Sequence, residues 1–294
     1  MPDYTAPLKD MRLALREAAN IEELQATGAF GDLSLELVDA VLEEAGKFAR
    51  EVIGPLNRTG DQQGVALKDG RVTVADGFTD AYRQYVDAGW MGIACDTEFG
   101  GQGLPLALGN AVNEMMNSAC LSFALCPILT HGAIEALMVH GTAQQKQIFL
   151  TRLISGEWTG TMNLTEPQAG SDVGALTSKA VARPDGSYSI TGGKIFITYG
   201  EHEMSGNIVH LVLARLPDAP AGTRGVSLFI VPKFIPDADG KPGQRNDLRC
   251  IGIEEKLGIH ASPTCTMAYG ENGGAIGYLA VSYTHLTLPT KRIV

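Results

Sequence analysis

The chain has no Cys-x-x-Cys pair, and its cysteines, Cys95, Cys120, Cys126, Cys250 and Cys265, are odd in number. A fully paired disulfide scaffold is excluded, and reduced thiols in a cytoplasm are the expectation. Runs of Lys or Arg are lacking too, and the net charge is -10. Such a chain repels a phosphate backbone, which argues against nucleic acid as a partner. A small phosphate-bearing ligand is still allowed, because loop and helix-terminal N–H groups bind phosphate locally. The opening MPDYTAPLKDMR lacks the basic start and apolar run of a signal peptide. The most apolar region, 119–139, is interrupted by Pro127, His131 and Glu135, so no membrane span is expected. G-x-G-x-x-G, the Walker lysine motif and G-x-S-x-G are all missing, which argues against a dinucleotide fold, a P-loop and a serine hydrolase. Ser171, in A-G-S-D-V, departs from the nucleophile pattern. The six histidines show neither H-x-x-x-H nor H-E-x-x-H spacing, so no metal site is expected. His131 and His140 read as packing or capping residues. His260 either lines a pocket or packs.

What is present divides in two. Ser34 reads as an N-cap, and Leu37, Val38, Val41, Leu42, Ala45, Phe48 and Val52 follow at helical spacing until Pro55. Further helices are expected over ADGFTDAYRQYVDAG, over ALGNAVNEMMNSACLSFAL as far as Pro127, over THGAIEALMVHG and over TAQQKQIFLTRLISG. Beyond about residue 160 the period changes. GSYSITGGKIFITYG alternates on both sides of Gly192-Gly193, a hairpin signal. IVHLVLARL and GVSLFIVPKF read as strands, IEEKLGIHASPTCTMAYGE as two short ones, and KFIPDADGKPGQRNDLR as a surface loop. The expectation is an α+β chain: an all-α domain, then an antiparallel β-barrel or sandwich.

At the junction lies MNLTEPQAGSD, residues 162–172. Pro167 rules out a helix interior or a central strand, and Gly170 permits close approach to the backbone. Alone the string suits an ordinary turn. Its place between two domains favours a ligand site.

Four stretches, in order, carry a resemblance: FGGQGLP (99–105), HGTAQQKQIFLTRLISGEWTGTMNLTEPQAGSD (140–172), GGKIFITYG (192–200) and KLGIHASPT (256–264). From about residue 35 to 279 the chain resembles the acyl-CoA dehydrogenase flavoproteins. It is most similar to the large bacterial branch that includes 3-methylmercaptopropionyl-CoA dehydrogenases and enzymes of fatty acyl-CoA. The resemblance implies an N-terminal extension (1–34), a helical domain (35–160) and a middle β-domain (161–279). It implies FAD, with Met162, Leu164 and Thr165 along the flavin ring and Gly170 and Ser171 at the pyrophosphate and thioester arm. Phe196, Ile197 and Thr198 stand where the family has W-I-T. Phe196 would cover one ring face in place of tryptophan, with less area and no N–H, and Thr198 would donate to flavin N5. Ser171 and His260 are the substrate-side candidates.

The activity implied is α,β-dehydrogenation of an acyl-CoA thioester, as in β-oxidation, with an electron-transfer flavoprotein taking the electrons and a homo-oligomer for the full-length enzyme. The family's base is a glutamate on a C-terminal four-helix bundle that this sequence does not contain, so no catalytic base is assigned. Glu201, Glu203, Glu254 and Glu255 match no base position and read as solvated surface. Residues 280–294 lose the resemblance and read as a non-native tail, with the expectation that the chain as it stands is inactive. The alternatives are a non-catalytic flavin- or acyl-CoA-binding fragment and an acyl-CoA oxidase.

Overall fold

The computed structural model describes residues 4–31, 33–237 and 239–282. The helical half comprises α1 (Leu8–Glu17), α2 (Ile21–Ala26), α3 (Leu35–Phe48), α4 (Gly54–Gln63), α5 (Phe78–Asp87), α6 (Leu106–Ala119), α7 (Leu121–His140) and α8 (Ala143–Ile154), with a short hairpin of β1 (Ala66–Lys68) and β2 (Arg71–Thr73) between α4 and α5. Ser34 caps α3 as expected, its hydroxyl accepting from the Leu37 amide at 3.1 Å. Thr142 and Gln145 form a reciprocal capping box on α8.

Two helix boundaries differ from the expectation, and in both proline is the reason. Pro55 does not stop the chain: a π-helical turn over Ala49–Ile53 leads into α4, whose first turn takes Pro55, where its missing N–H costs nothing. Pro127 does not divide the long apolar region either. It lies inside α7, and the break falls at Cys120, a single extended residue between α6 and α7. The uninterrupted α7 is long and apolar enough, by length and composition, to cross a membrane. Half of its apolar window is buried in the protein, where Ala133, Ile134 and Leu137 join α8 and β-strand residues in one core cluster.

The second half contains β3 (Trp158–Asn163), β4 (Lys179–Ala182), β5 (Tyr188–Thr198), β6 (Asn207–Arg215), β7 (Val226–Pro232), β8 (Phe234–Pro236), β9 (Pro242–Arg245), β10 (Leu248–Ile253), β11 (Thr264–Tyr269) and β12 (Ala275–Val281). The main sheet runs β10-β11-β5-β12-β7-β6-β3, with β4 bridging β5 and β6. It is antiparallel except where β3 and β4 run parallel to β6. Strand β3 enters directly from α8 and needs the long crossover through β4 and β5 to reach β6 in parallel.

The expected hairpin at Gly192-Gly193 is instead the middle of one continuous strand, β5. The glycines let the strand change partners, from β12 at 188–190 to β11 at 192–198. A Cβ on Gly192 would stand 2.3 Å from Ser178 Oγ, so glycine there serves close packing, not a turn. The expected surface loop at 233–249 is structured: β8 and β9 form a hairpin whose turn is held by Asp237, and β10 begins at Leu248. Of the two strands expected in 253–271 only β11 forms there, while 254–263 crosses as a loop. Strand β12 runs through Val281 and so takes in the first two residues of the expected tail, while 283–294 lie outside the described residues.

The two halves share their cores. Tyr199, Met204 and Ala261 pack into the helical cluster of Leu42, Phe78, Tyr85 and Phe123. The Tyr199 hydroxyl donates to the Ser122 carbonyl at 2.6 Å. Where α7 crosses β3, Gly160 faces Ala133 so closely that a Cβ on the glycine would stand 2.5 Å from the alanine Cβ.

Candidate functional site

The loop that leaves β3 is anchored at both ends. On the near side, Thr161 Oγ1 donates to the Thr198 carbonyl at 2.6 Å, and the Ile195 amide donates to the Thr165 carbonyl at 2.9 Å. These bonds lay residues 161–165 alongside 194–198. On the far side, Arg215 reaches from β6 and donates to the carbonyls of Gly174 at 2.9 Å and Gly222 at 3.1 Å. Between the anchors, Pro167 opens a tight turn closed by the Glu166–Ala169 bridge. Gly170, Ser171 and Asp172 stand exposed beyond it.

Across from the loop, β5 is bulged. Cys265 pairs with Ile197 but Met267 pairs with Lys194, so β5 carries one extra residue. Phe196 occupies the bulge at φ +60°, a left-handed conformation unusual for an aromatic residue. It is 57% exposed. Phe196 is thus exposed next to the half-buried Thr198, on the segment that the half-buried Thr165 pairs with.

The sequence-derived candidates fall into three groups. Met162, Leu164, Thr165, Gly170, Ser171, Phe196 and Thr198 are brought together. The hydroxyls of Thr165, Ser171 and Thr198 make no hydrogen bond among the described residues, so their bonding capacity is unspent. A Cβ on Gly170 would meet only Thr165 Cγ2, at 3.9 Å, so the protein's own packing does not demand glycine there. Ile197 points the other way, into the β-domain core, at 2% exposure. Only its backbone can serve a ligand on this face. His260 stands apart. Its Nδ1 lies 2.9 Å from Asp61 of α4 and its Nε2 2.8 Å from the Lys256 carbonyl. It clips the 254–263 loop to the helical half and has no ring nitrogen free. His131 packs as expected, Nε2 against the Met91 carbonyl at 2.7 Å, and burial lowers its pKa.

One carboxylate reading is corrected. Glu201 is not solvated surface: it is 2% exposed and receives Lys233 Nζ and Arg245 Nη2. It lines a cavity of about 550 Å³ with Arg71, His202, Lys233, Phe234 and Arg245. Its two nearest cations, Lys233 and Arg245, are both paired with it. The residues the sequence did not single out are polar and deep. Tyr269 donates to Asn163 Oδ1 at 2.6 Å beside His210, and Thr159 Oγ1 meets His202 Nε2 at 3.0 Å. Burial, followed by Lys233, pushes both His202 and His210 down to about 3. Such residues carry no motif; alternating apolar strands predict buried positions without saying that some will be polar.

Comparison with known proteins follows the same division. The chain matches the acyl-CoA dehydrogenase N-terminal domain over residues 36–157 and the acyl-CoA dehydrogenase middle domain over residues 161–271. It belongs to the acyl-CoA dehydrogenase family. A 3-methylmercaptopropionyl-CoA dehydrogenase of Ruegeria pomeroyi is 49% identical over 276 residues, which cover 94% of this chain and 46% of that protein. The chain spans about half the length of the curated relatives it matches. Among solved structures, butyryl-CoA dehydrogenase from Megasphaera elsdenii superposes with a TM-score of 0.66 at 23% identity, over 85% of this chain and 60% of that one. An acyl-CoA dehydrogenase from Bacillus anthracis, complexed with FAD, gives 0.63 at 23% identity, over 87% of this chain and 38% of that one. At those identities the structures establish the shared fold alone.

Proposed function

We propose that this chain supplies the cofactor- and thioester-facing part of an FAD-dependent acyl-CoA dehydrogenase, with 3-methylmercaptopropionyl-CoA or a related short acyl-CoA as substrate. The observation that carries the reading is the unspent face: three free hydroxyls, an exposed aromatic ring and a glycine with room beside it, on two segments cross-bonded to each other. A flat heteroaromatic ring with polar edges and a pyrophosphate tail suits that set of donors.

FAD, when bound, supplies the acceptor for the hydride removed from the β-carbon of the acyl chain. Thr198 and Thr165 would donate to the polar edge of the ring. Phe196, exposed beside them, would cover a ring face and exclude water from the reacting carbons. Gly170 and Ser171 take the phosphate oxygens through backbone N–H and hydroxyl, and Ser171 also steadies the thioester arm. The α-proton goes to a carboxylate that this reading does not assign within the chain, since Glu166 and Glu201 are both buried against cations. We place the domain division near residue 160 and assign the protein to the cytoplasm, with electron-transfer flavoprotein as acceptor and a homo-oligomeric enzyme.

The test is titration of the purified chain with FAD, followed by quenching of flavin fluorescence, beside a Thr165→Val/Thr198→Val variant. Saturable one-to-one binding that weakens at least tenfold in the variant is expected. No saturable binding, or equal binding by the variant, overturns the reading.

A further inference from the structure

Lysine is almost never wholly buried, because its ammonium loses hydration that one partner rarely replaces. Lys194 is buried completely, in the middle of β5, and its partner Glu166 is 2% exposed. The pair is densely bonded. Lys194 Nζ donates to Glu166 Oε1 at 2.8 Å and to the Leu164 carbonyl at 3.1 Å. Glu166 also accepts from the Ser178 amide at 3.0 Å, the Thr177 amide at 2.7 Å, Thr177 Oγ1 at 2.8 Å and Gln168 Nε2 at 2.6 Å. One carboxylate thus ties together the start of the loop, its turn and its return toward β4.

The position in the chain is as telling as the bonds. Lys194 is the last regular pair of β5 with β11 before the bulge, and the next residue, Ile195, donates its amide to the Thr165 carbonyl. The ammonium and that amide hold consecutive residues, Leu164 and Thr165, against consecutive residues, Lys194 and Ile195. Beyond them stand Phe196 and Thr198. An apolar pair at 166 and 194 would fill the volume but could not span three segments at fixed distances.

We propose that Lys194 and Glu166 are positioning residues for the cofactor face: they hold the 164–178 loop in register with the β5 bulge so that Thr165, Phe196 and Thr198 meet one ligand at once. The inference rests on the FAD reading above for the identity of that ligand. The pair touches no reacting atom; it acts through the loop it fixes.

The test needs a variant that folds. Removing one charge would strand the other, so the pair is replaced together, Lys194→Met/Glu166→Gln, which leaves no buried ion. A milder variant, Thr177→Val, keeps both charges and removes one donor to the carboxylate. Two readouts are taken on the purified chain: amide hydrogen exchange over 159–200, and FAD affinity with the visible absorption of the bound flavin. In the folded double variant, exchange across 164–178 and at Ile195 is expected to quicken at least tenfold while β6 and β7 stay unchanged. FAD affinity should fall at least tenfold, with an altered flavin band. Thr177→Val should shift both measures two- to threefold in the same direction. Unchanged exchange and affinity in a folded double variant overturn the proposal. Loss of folding in both variants also overturns it, since the pair then serves the fold and not the loop. If the parent chain fails to bind FAD, the cofactor reading falls, and the exchange comparison alone decides whether the pair fixes the loop.

Discussion

The contact between α7 and β3 gives the most quantitative prediction, because it is the joint on which the site's first strand rests. Substituting Gly160→Ala places a methyl carbon 2.5 Å from Ala133 Cβ and 3.5 Å from Thr130 Cα. Carbon atoms rest at about 3.5–4.0 Å, so helix and strand must part by about 1 Å. The same movement stretches the bond from the Gly160 amide to Thr130 Oγ1, now 3.1 Å. Overpacking of this kind costs about 1–3 kcal/mol, which lowers the melting temperature by roughly 5 °C in a protein of this size class. Ala133→Gly alone costs about 1 kcal/mol in helix propensity. In the double variant the new methyl takes the space the old one left, so the two losses should not add. Urea unfolding of the parent, both single variants and the double closes the cycle, with a favourable coupling of at least about 1 kcal/mol expected. Additive losses, or a Gly160→Ala protein as stable as the parent, would show that the interface yields freely and that β3 is not held where its contacts place it.

Four further outcomes are expected. Acid sensitivity should begin well above the carboxylate range: His202 and His210 are held neutral near 3 by burial and by Lys233, so as pH falls through about 6.5 the unfolded chain takes up protons that the folded chain refuses. Between pH 7.5 and pH 5 each costs about 2 kcal/mol, and a melting temperature flat across that window refutes it. Glu166, which burial alone would raise, is brought down to about 2 by Lys194, Ser178 and Thr177, so its contribution persists until pH falls below the ordinary carboxylate range toward 2. Tyr199→Phe should cost about 0.5–1.5 kcal/mol in denaturant unfolding by deleting the bond to the Ser122 carbonyl; a change under a few tenths would make that link between the halves idle. Phe196→Gly should hold or gain stability, because a left-handed residue costs about 1–2 kcal/mol that glycine avoids, yet weaken FAD binding several-fold. Lost stability with unchanged FAD affinity would reverse the assignment.

The architecture was legible where one signal sufficed. Ser34 and Thr142 mark helix starts because a side-chain oxygen is the local solution to unpaired amides, and IVHLVLARL is a strand on pattern alone. The misreadings came from residues with two uses. Pro55 and Pro127 are breakers by local rule, but a first turn and a tightly packed interior each tolerate one. Gly192-Gly193 signals a turn by composition, yet close approach to Ser178 asks for the same residue. The face formed by Thr165, Phe196 and Thr198 was reached through family motifs, not periodicity. The Lys194–Glu166 pair was invisible, since nothing in a sequence says that a lysine within an alternating strand faces inward.

Several of these exceptions gather along two adjoining segments. A lysine without solvent, an aromatic at positive φ, a glycine its own packing does not require and threonine hydroxyls left unbonded all lie within residues 161–198. Two of them are unfavourable for an isolated fold: burying the ammonium costs solvation, and the bulge costs backbone strain. They are not the chain's only departures: among the described residues Tyr85 in the helical core keeps a buried unbonded hydroxyl, His210 of β6 a buried unbonded ring nitrogen, and Ile259 stands at φ +50°. Several departures from local rule on two adjoining segments, beside a face with open hydroxyls, are what a ligand-shaped site would leave in a sequence. The breaches are also complementary, since strain aims the aromatic outward while the buried pair keeps the hydroxyls in register with it. A flat ligand binding across both segments would recover what the free fold gives up.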